Sequence, residues 1–331
     1  MPTMHLTLLV PGLLLPEAIR SDMLSDLATP ALSRLIGQSH RQELPDGALS
    51  EIFGIPSQLP AAALRKVDAG GTAQGEWLCL DPVHLDIGRD GITLANPATL
   101  QLGDEESAAL LSDIAPVFAA WGELSASSPG HWEMALSRSA ELLTRPLADG
   151  IGDRVDAGLP GGQAGRDWRA LLLEAQTLLH RHPINLARES EGRPTINSLW
   201  VWGQGRLPDR VQTDRDEVWS QSQVIAGLAT LAGIACQPAP ECFTLTSGRV
   251  LAHDTRLTLP ANAQDALLFR ENLLTLERDW LAPAVTALSC GDCRSIQLIG
   301  TGRGLSDVAY VLTRPRLWQF WRRPKPLQEL G

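Results

Sequence analysis

Residues 182–205 read HPINLARESEGRPTINSLWVWGQG. Leu199, Trp200, Val201 and Trp202 place large apolar side chains on four consecutive positions, and Gly203, Gln204 and Gly205 follow at once. Strand side chains alternate between the two faces of a sheet, so such a run requires cover on both faces. The reading is an interior strand of an α/β sheet, ended by glycines that admit close approach of backbone or ligand. Open α/β sheets bind their ligands in loops at the carboxyl ends of such strands.

Composition sets the outer bounds. The chain has 331 residues, 44% of them hydrophobic and 20% charged, as in an ordinary globular protein large enough for one domain carrying an insertion. No apolar run approaches the roughly 18 residues of a membrane span. The start, MPTMHLTLLVPGLLLPEAIR, has no basic region ahead of its apolar run and no small-residue cleavage site. It reads as a first buried strand rather than a signal peptide, so a cytoplasmic protein is expected. The net charge of −10 disfavours nucleic acid as a partner. Five cysteines, an odd number in a long chain, do not make a disulfide framework. Cys290 and Cys293 have C-x-x-C spacing, but Cys236 and Cys242 are wrongly spaced to complete a zinc site.

Outward from the opening stretch, His5–Val10 reads as a strand broken by Pro11-Gly12. A helix then starts with Thr29 as N-cap and Pro30 in its first turn. Trp77–Asp86 and Gly91–Leu94 flank Gly88-Arg89-Asp90-Gly91, a hairpin turn. Asp104–Ala120, Trp168–His180, Val218–Gly233 and residues 264–288 read as helices, His131–Ser137 and Ser295–Gly300 as strands, and the glycine-rich residues 146–166 as a loop. This order predicts a parallel-sheet core interrupted by a smaller α+β domain: residues 1–59 as core, 60–165 as insertion, and 166–331 as core again, ending in a basic aromatic tail.

The segment His182-Pro183-Ile184-Asn185 … Arg188 … Gly192 … Asn197-Ser198-Leu199-Trp200-Val201-Trp202-Gly203-Gln204-Gly205 resembles archaeal-type, cofactor-independent phosphoglycerate mutases of the alkaline-phosphatase-like superfamily. Thr29–Leu35, Ile52-Phe53-Gly54, Trp77–Leu102 and Val224–Ile234 are similar to further parts of that family. The Asp81-Pro82-Val83-His84-Leu85 hairpin is similar to the RpfE-type regulatory proteins of bacteria. The resemblance implies an alkaline-phosphatase-like α/β fold, a parallel-sheet core with helices on both faces and an inserted domain. It also implies phosphoryl transfer through a serine nucleophile and two divalent metals.

The residues for that chemistry are not found. The first strand ends Val10-Pro11-Gly12, where the family supplies an aspartate ligand. The nucleophile position falls near Pro45, with Ser50 out of register. Pro260-Ala261-Asn262-Ala263-Gln264 and Gly300-Thr301-Gly302 replace two further ligand stretches. No catalytic residue, metal ligand or cofactor is therefore expected. Asn185, Arg188, Asn197 and Arg206 are candidates for a retained anion pocket, since arginine suits planar phosphate or carboxylate recognition. The alternative is that they fasten loops. Three functions follow. The first is a catalytically degenerate, binding or regulatory protein taking a phosphorylated small molecule or a protein partner. The second is an active mutase, or a hydrolase with relocated residues such as Asp81, His84 and Ser50. The third is an interaction module working through Arg314–Lys325. That tail carries five basic residues and no acidic one, and Leu317, Phe320 and Trp321 have the spacing of one helical face packed on the core.

Overall fold

The computed structural model describes residues 3–88, 91–152, 154–319 and 321–330. They form two compact units, residues 1–57 with 210–331 and residues 58–209.

The first unit is a seven-stranded sheet with helices. Its order is Ala235–Gln237, Glu217–Trp219, Gly248–His253, Met4–Pro11, Cys293–Thr301, Asp307–Thr313 and His40–Leu44. The first five strands run parallel, Asp307–Thr313 runs opposite to them, and His40–Leu44 pairs antiparallel with Asp307–Thr313. Leu6 pairs in register with Val250 and Ile296, and Leu8 with Ala252 and Leu298. These residues point into one core with Leu32, Leu35, Phe269, Leu273 and Leu288 from the helices Pro30–Gln38, Ala266–Leu276 and Ala282–Cys290, and with Trp280 from the turn between the last two. Residues 264–288 are helical as expected from Ala266 onward, with a π-turn, Glu277–Leu281, joining two α-helical stretches. The Thr29 side chain caps nothing and its Oγ1 is buried without a partner. The cap comes from the π-turn instead, where the Glu277 carboxylate accepts from the Ala31 and Leu32 amides at 2.6 and 3.0 Å. An acid on a helix N-terminus satisfies two orphan donors and the dipole together.

The second unit holds the opening stretch, and here the expected boundary moves. Residues 166–209 were expected to return to the core; instead they belong with residues 58–165. The physical reason is the pairing of Ser198–Arg206, which is antiparallel to Glu76–Val83 and forms the edge of a four-stranded antiparallel sheet with His131–Leu136 and Gly122–Ser128. It is not an interior strand of a parallel sheet. Both of its faces are nevertheless covered. Leu199 and Val201 join Leu78, Leu80, Trp168 and Leu172 beneath the helices Asp104–Phe118 and Gly165–His180. Trp200 lies on the other face with Val83, Leu85 and Leu94, against Gly150 and Gly158 of the glycine-rich segment. Glycine is required there because a Cβ on Gly158 would collide with the Trp200 ring. The terminal glycines serve packing as well. Gly203 has φ +65° and sits in a register irregularity, where a Cβ would come within 2.7 Å of Ala61.

The turn residues Arg89 and Asp90 lie outside the described residues; the strands around them, Leu85–Gly88 and Gly91–Leu94, pair as expected. Val218–Gly233 is a short strand, Glu217–Trp219, followed by a helix, Gln223–Ala232.

Overpacking a filled core costs about 1–3 kcal/mol. Gly158→Ala is therefore expected to lower the thermal midpoint of the chain. Gly130→Ala, where an added Cβ meets nothing within 4 Å, is expected to leave it within error in the same melting experiment.

Candidate functional site

The carboxyl ends of the five parallel strands are where an open α/β sheet offers a ligand crevice. Three of these ends interlock through main chain. Gly12 has φ +84°, and a Cβ there would lie 2.5 Å from the Leu257 carbonyl. The Gly12 and Leu14 amides both donate to the Thr301 carbonyl, at 3.0 and 3.1 Å. Thr258 Oγ1 donates to the Pro11 carbonyl at 3.3 Å, and a Cβ on Gly302 would collide with the Leu14 carbonyl. Leu13, Leu14 and Leu15 are buried in this junction. The stretch Gly300-Thr301-Gly302 thus spends its closeness on Leu14.

Polar residues that sequence reading missed stand at the ends of Glu217–Trp219 and Gly248–His253. Ser220, just beyond Glu217–Trp219, has its Oγ 3.0 Å from His253 Nδ1, the last residue of the neighbouring strand. The same Oγ accepts from the Ser222 amide at 3.0 Å. Burial pushes the His253 imidazole down to about 4, and the adjacent Asp254 only partly opposes that. Above about pH 4 the ring is neutral, and in its Nε2–H tautomer Nδ1 would accept from the serine hydroxyl, the arrangement of a nucleophile and its base. Asp254 is bound elsewhere: Arg256 Nε reaches both of its oxygens at 2.8 and 2.9 Å and Nη2 one of them at 2.7 Å. A signal was present in the sequence, since His253-Asp254 directly follows the apolar Val250-Leu251-Ala252.

The two-metal centre of alkaline-phosphatase-like enzymes does not fit this donor set. Pro11 has no donor side chain, Leu13–Leu15 are apolar, Asp254 is neutralised by Arg256, and His253 is turned to Ser220. Among the described residues no group of three or more His, Cys, Asp or Glu is placed to hold a metal. Cys293 is buried with its thiol donating to the Ser295 carbonyl, while Cys290 is exposed. Ser50 lies in the helix Ala48–Phe53 and donates to the Pro56 carbonyl at 3.2 Å.

The four sequence-predicted binding residues lie in the second unit, and three of them are bound to it. Asn185 donates to the Leu179 and Ile196 carbonyls at 2.8 and 2.6 Å and accepts from the Ile196 amide at 2.8 Å. Asn197 exchanges two hydrogen bonds with the backbone of Leu85, at 2.7 and 2.9 Å. Arg188 is only 1% exposed; it donates to the Pro194 and Leu100 carbonyls and pairs with Glu106 at 2.7 Å. Arg206 is exposed at the strand end, opposite Glu76. The contacts of the first three are those of loop fasteners around residues 194–197.

Asp81 and His84 are also engaged. His84 Nδ1 lies 2.7 Å from the Thr195 carbonyl. Asp81 is 0% exposed and takes a two-pronged pair from Arg65 of the helix Ala61–Asp68, at 2.7 and 2.9 Å. It also accepts from Trp202 Nε1 at 2.7 Å, and the Arg65 guanidinium lies 4.8 Å from the centre of the Trp202 ring. Glu133, also buried, stands 3.7 Å from Arg65. Burial pushes its carboxyl up to about 7, with Ser127 and Arg65 opposing and Asp81 adding to the rise. One arginine thus faces two carboxylates in a dry layer.

A doubly wound, largely parallel sheet with helices defines the first unit. Over the whole chain the fold matches the structure of the PH0037 protein from Pyrococcus horikoshii, with TM-score 0.50, 13% identity and 95% and 88% of the two chains covered. A cofactor-independent phosphoglycerate mutase from Thermoplasma acidophilum aligns at TM-score 0.49 and 15% identity over 100% and 95%. By sequence the chain is similar to 2,3-bisphosphoglycerate-independent phosphoglycerate mutases. That of Methanosarcina mazei is 33% identical over 100 residues, 29% of this chain and 25% of the relative. That of Methanosarcina acetivorans is 36% identical over 95 residues, 29% and 24%. The chain thus spans about a quarter of the length of the curated relatives it matches. No protein-family profile matches it.

The raised Glu133 carboxyl makes a pH prediction. The folded state holds its proton between the ordinary 4.5 and about 7, so its contribution to stability is complete below about pH 4.5 and declines as pH rises to about 7. Between about pH 5 and about pH 8 the wild type should lose on the order of 1–3 kcal/mol relative to Glu133→Gln, read as the difference between their denaturation midpoints.

Proposed function

We propose that this chain is a catalytically degenerate phosphoglycerate-mutase-like protein that acts by binding, in a regulatory role of the RpfE type, rather than by phosphoryl transfer. The observation carrying this reading is the sealed strand end: Pro11-Gly12 and Leu13–Leu15 fill the junction where a metal-dependent enzyme needs carboxylates. The ligand class proposed is a phosphorylated small molecule or a protein partner. In this reading Asn185, Arg188 and Asn197 hold the 194–197 loop, and Arg206 alone of the four remains presented for an anion.

The purified chain, incubated with manganese or zinc and desalted, is expected to retain no stoichiometric metal and to interconvert no phosphoglycerates. Two metal equivalents per chain, or turnover surviving repurification, would overturn the proposal. A panel of phosphorylated metabolites is expected to raise the melting temperature through at least one member. A ligand at a hundred times its dissociation constant stabilises by about 2.7 kcal/mol, and Arg206→Ala should erase that shift. A shift lost in no variant but destabilised Arg188→Ala would return the anion site to the buried arginine.

One observation favours the hydrolase alternative, the Ser220–His253 pair at 3.0 Å. Its relocated nucleophile would be Ser220 rather than Ser50. Phosphate-ester or carboxylate-ester turnover abolished by Ser220→Ala would establish it; equal background rates in both proteins are expected.

A further inference from the structure

The C-terminal segment departs from the packing its spacing predicts. Leu317 is partly buried against the core, but Trp321 is 66% exposed and Trp318 is 73% exposed; Phe320 lies outside the described residues. The reason is that the anchor comes later. Leu327 and Leu330 are buried at 4% and 1% and belong to the same core as Leu6 and Leu35. The stretch between is tied to the helix Pro30–Gln38: Gln38 Nε2 donates to the Arg322 carbonyl at 3.1 Å, and the Lys325 amide donates to the Ser33 carbonyl at 3.0 Å. Arg323 passes so close to Gly37 that a Cβ there would collide with its carbonyl. The chain is therefore held on both sides of a run, Trp321–Pro326, in which every residue is exposed. A segment with buried leucines to hand keeps its tryptophans outside.

Charge points the same way. Arg314, Arg316, Arg322, Arg323 and Lys325 fall within twelve residues with no acid among them, while the chain as a whole carries −10. The other residues thus carry −15, five more than the whole. Lys325 is paired with Glu329 at 2.6 Å, so Arg322 and Arg323 are the cations beside Trp321 on which the surface depends.

We infer that Trp318, Trp321, Arg322 and Arg323 form a reversible docking surface for an anionic lipid bilayer. Tryptophan sits at the headgroup level, where its ring is amphipathic, and arginines alongside are drawn to anionic headgroups. A bilayer demands no complementary groove and engages side chains presented on an exposed run. Among the described residues no helix is long and apolar enough to cross the membrane, so the association is peripheral and gives way to salt.

The test is co-sedimentation of the full chain with vesicles of phosphatidylcholine alone and of phosphatidylcholine with phosphatidylglycerol. Binding is expected only to the second, declining as salt is raised. The variant Trp318→Ser/Trp321→Ser and the variant Arg322→Gln/Arg323→Gln should each weaken it at least about tenfold, the cationic pair chiefly by lowering surface attraction. Melting curves check the fold: both variants change exposed side chains and should unfold within error of wild type. Equal binding to the two vesicle types, wild-type binding by either variant, or tighter binding to a single-stranded oligonucleotide would overturn the proposal.

Discussion

The Leu257 carbonyl stands where a side chain on Gly12 would be, and the character of the first unit follows from that contact. Backbone against backbone at the mouth of a parallel sheet leaves no room for a side chain, still less for a hydrated ion. The loops after Met4–Pro11, Gly248–His253 and Cys293–Thr301 are drawn together, and three leucines occupy the interior they enclose. An enzyme of this architecture keeps such a place wet and charged so that metals and phosphate can enter. Here the same place has become part of the hydrophobic core, which is stabilising in proportion to the apolar area removed from water.

The second unit shows the opposite economy, a polar interior. One face of its sheet is filled by leucines and tryptophan under two helices. The other carries Cys79, Asp81 and Glu133 beneath Arg65, closed by the Trp202 ring. Burying ions is costly unless each is paired and hydrogen-bonded. Asp81 satisfies that condition with contacts from Arg65, Trp202 and the Trp132 amide; Glu133 does so less completely, which is why its proton is held toward neutrality. The aromatic strand that dominates the sequence is thus the lid of a buried ionic cluster rather than the wall of a ligand pocket.

Much of this was legible in the residues. The consecutive apolar run correctly required cover on both faces, the period-2 and helical patterns placed most elements, and the absence of carboxylates after the first strand was plain. What misled was direction. Nothing in Leu199–Trp202 distinguishes a parallel interior strand from an antiparallel edge whose second face is covered by a glycine-rich segment, because cover, not pairing, determines the pattern. The spacing points to the local Thr29 as the cap before Pro30, whereas the carboxylate that satisfies the Ala31 amide belongs to Glu277, 246 positions beyond Ala31. Ser220 and His253 lie 33 positions apart, and only the parallel pairing of their strands brings them together. Asn185, Arg188 and Asn197 read equally well as an anion pocket or as fasteners, since both uses demand the same donors.

The discontinuity of the first unit has a consequence for the growing chain. Met4–Pro11 is made before residues 58–209, yet its neighbours on either side, Gly248–His253 and Cys293–Thr301, are made after them. Until those two strands have been made, this buried, largely apolar strand has no partner in its sheet, and an unpaired apolar strand is a hazard for aggregation. Residues 58–209, by contrast, contain all the partners of their own four-stranded sheet and are made before Gly248–His253. The second unit can therefore close while Met4–Pro11 still waits for its partners, an interval set by translation rate and not by any barrier within the finished fold.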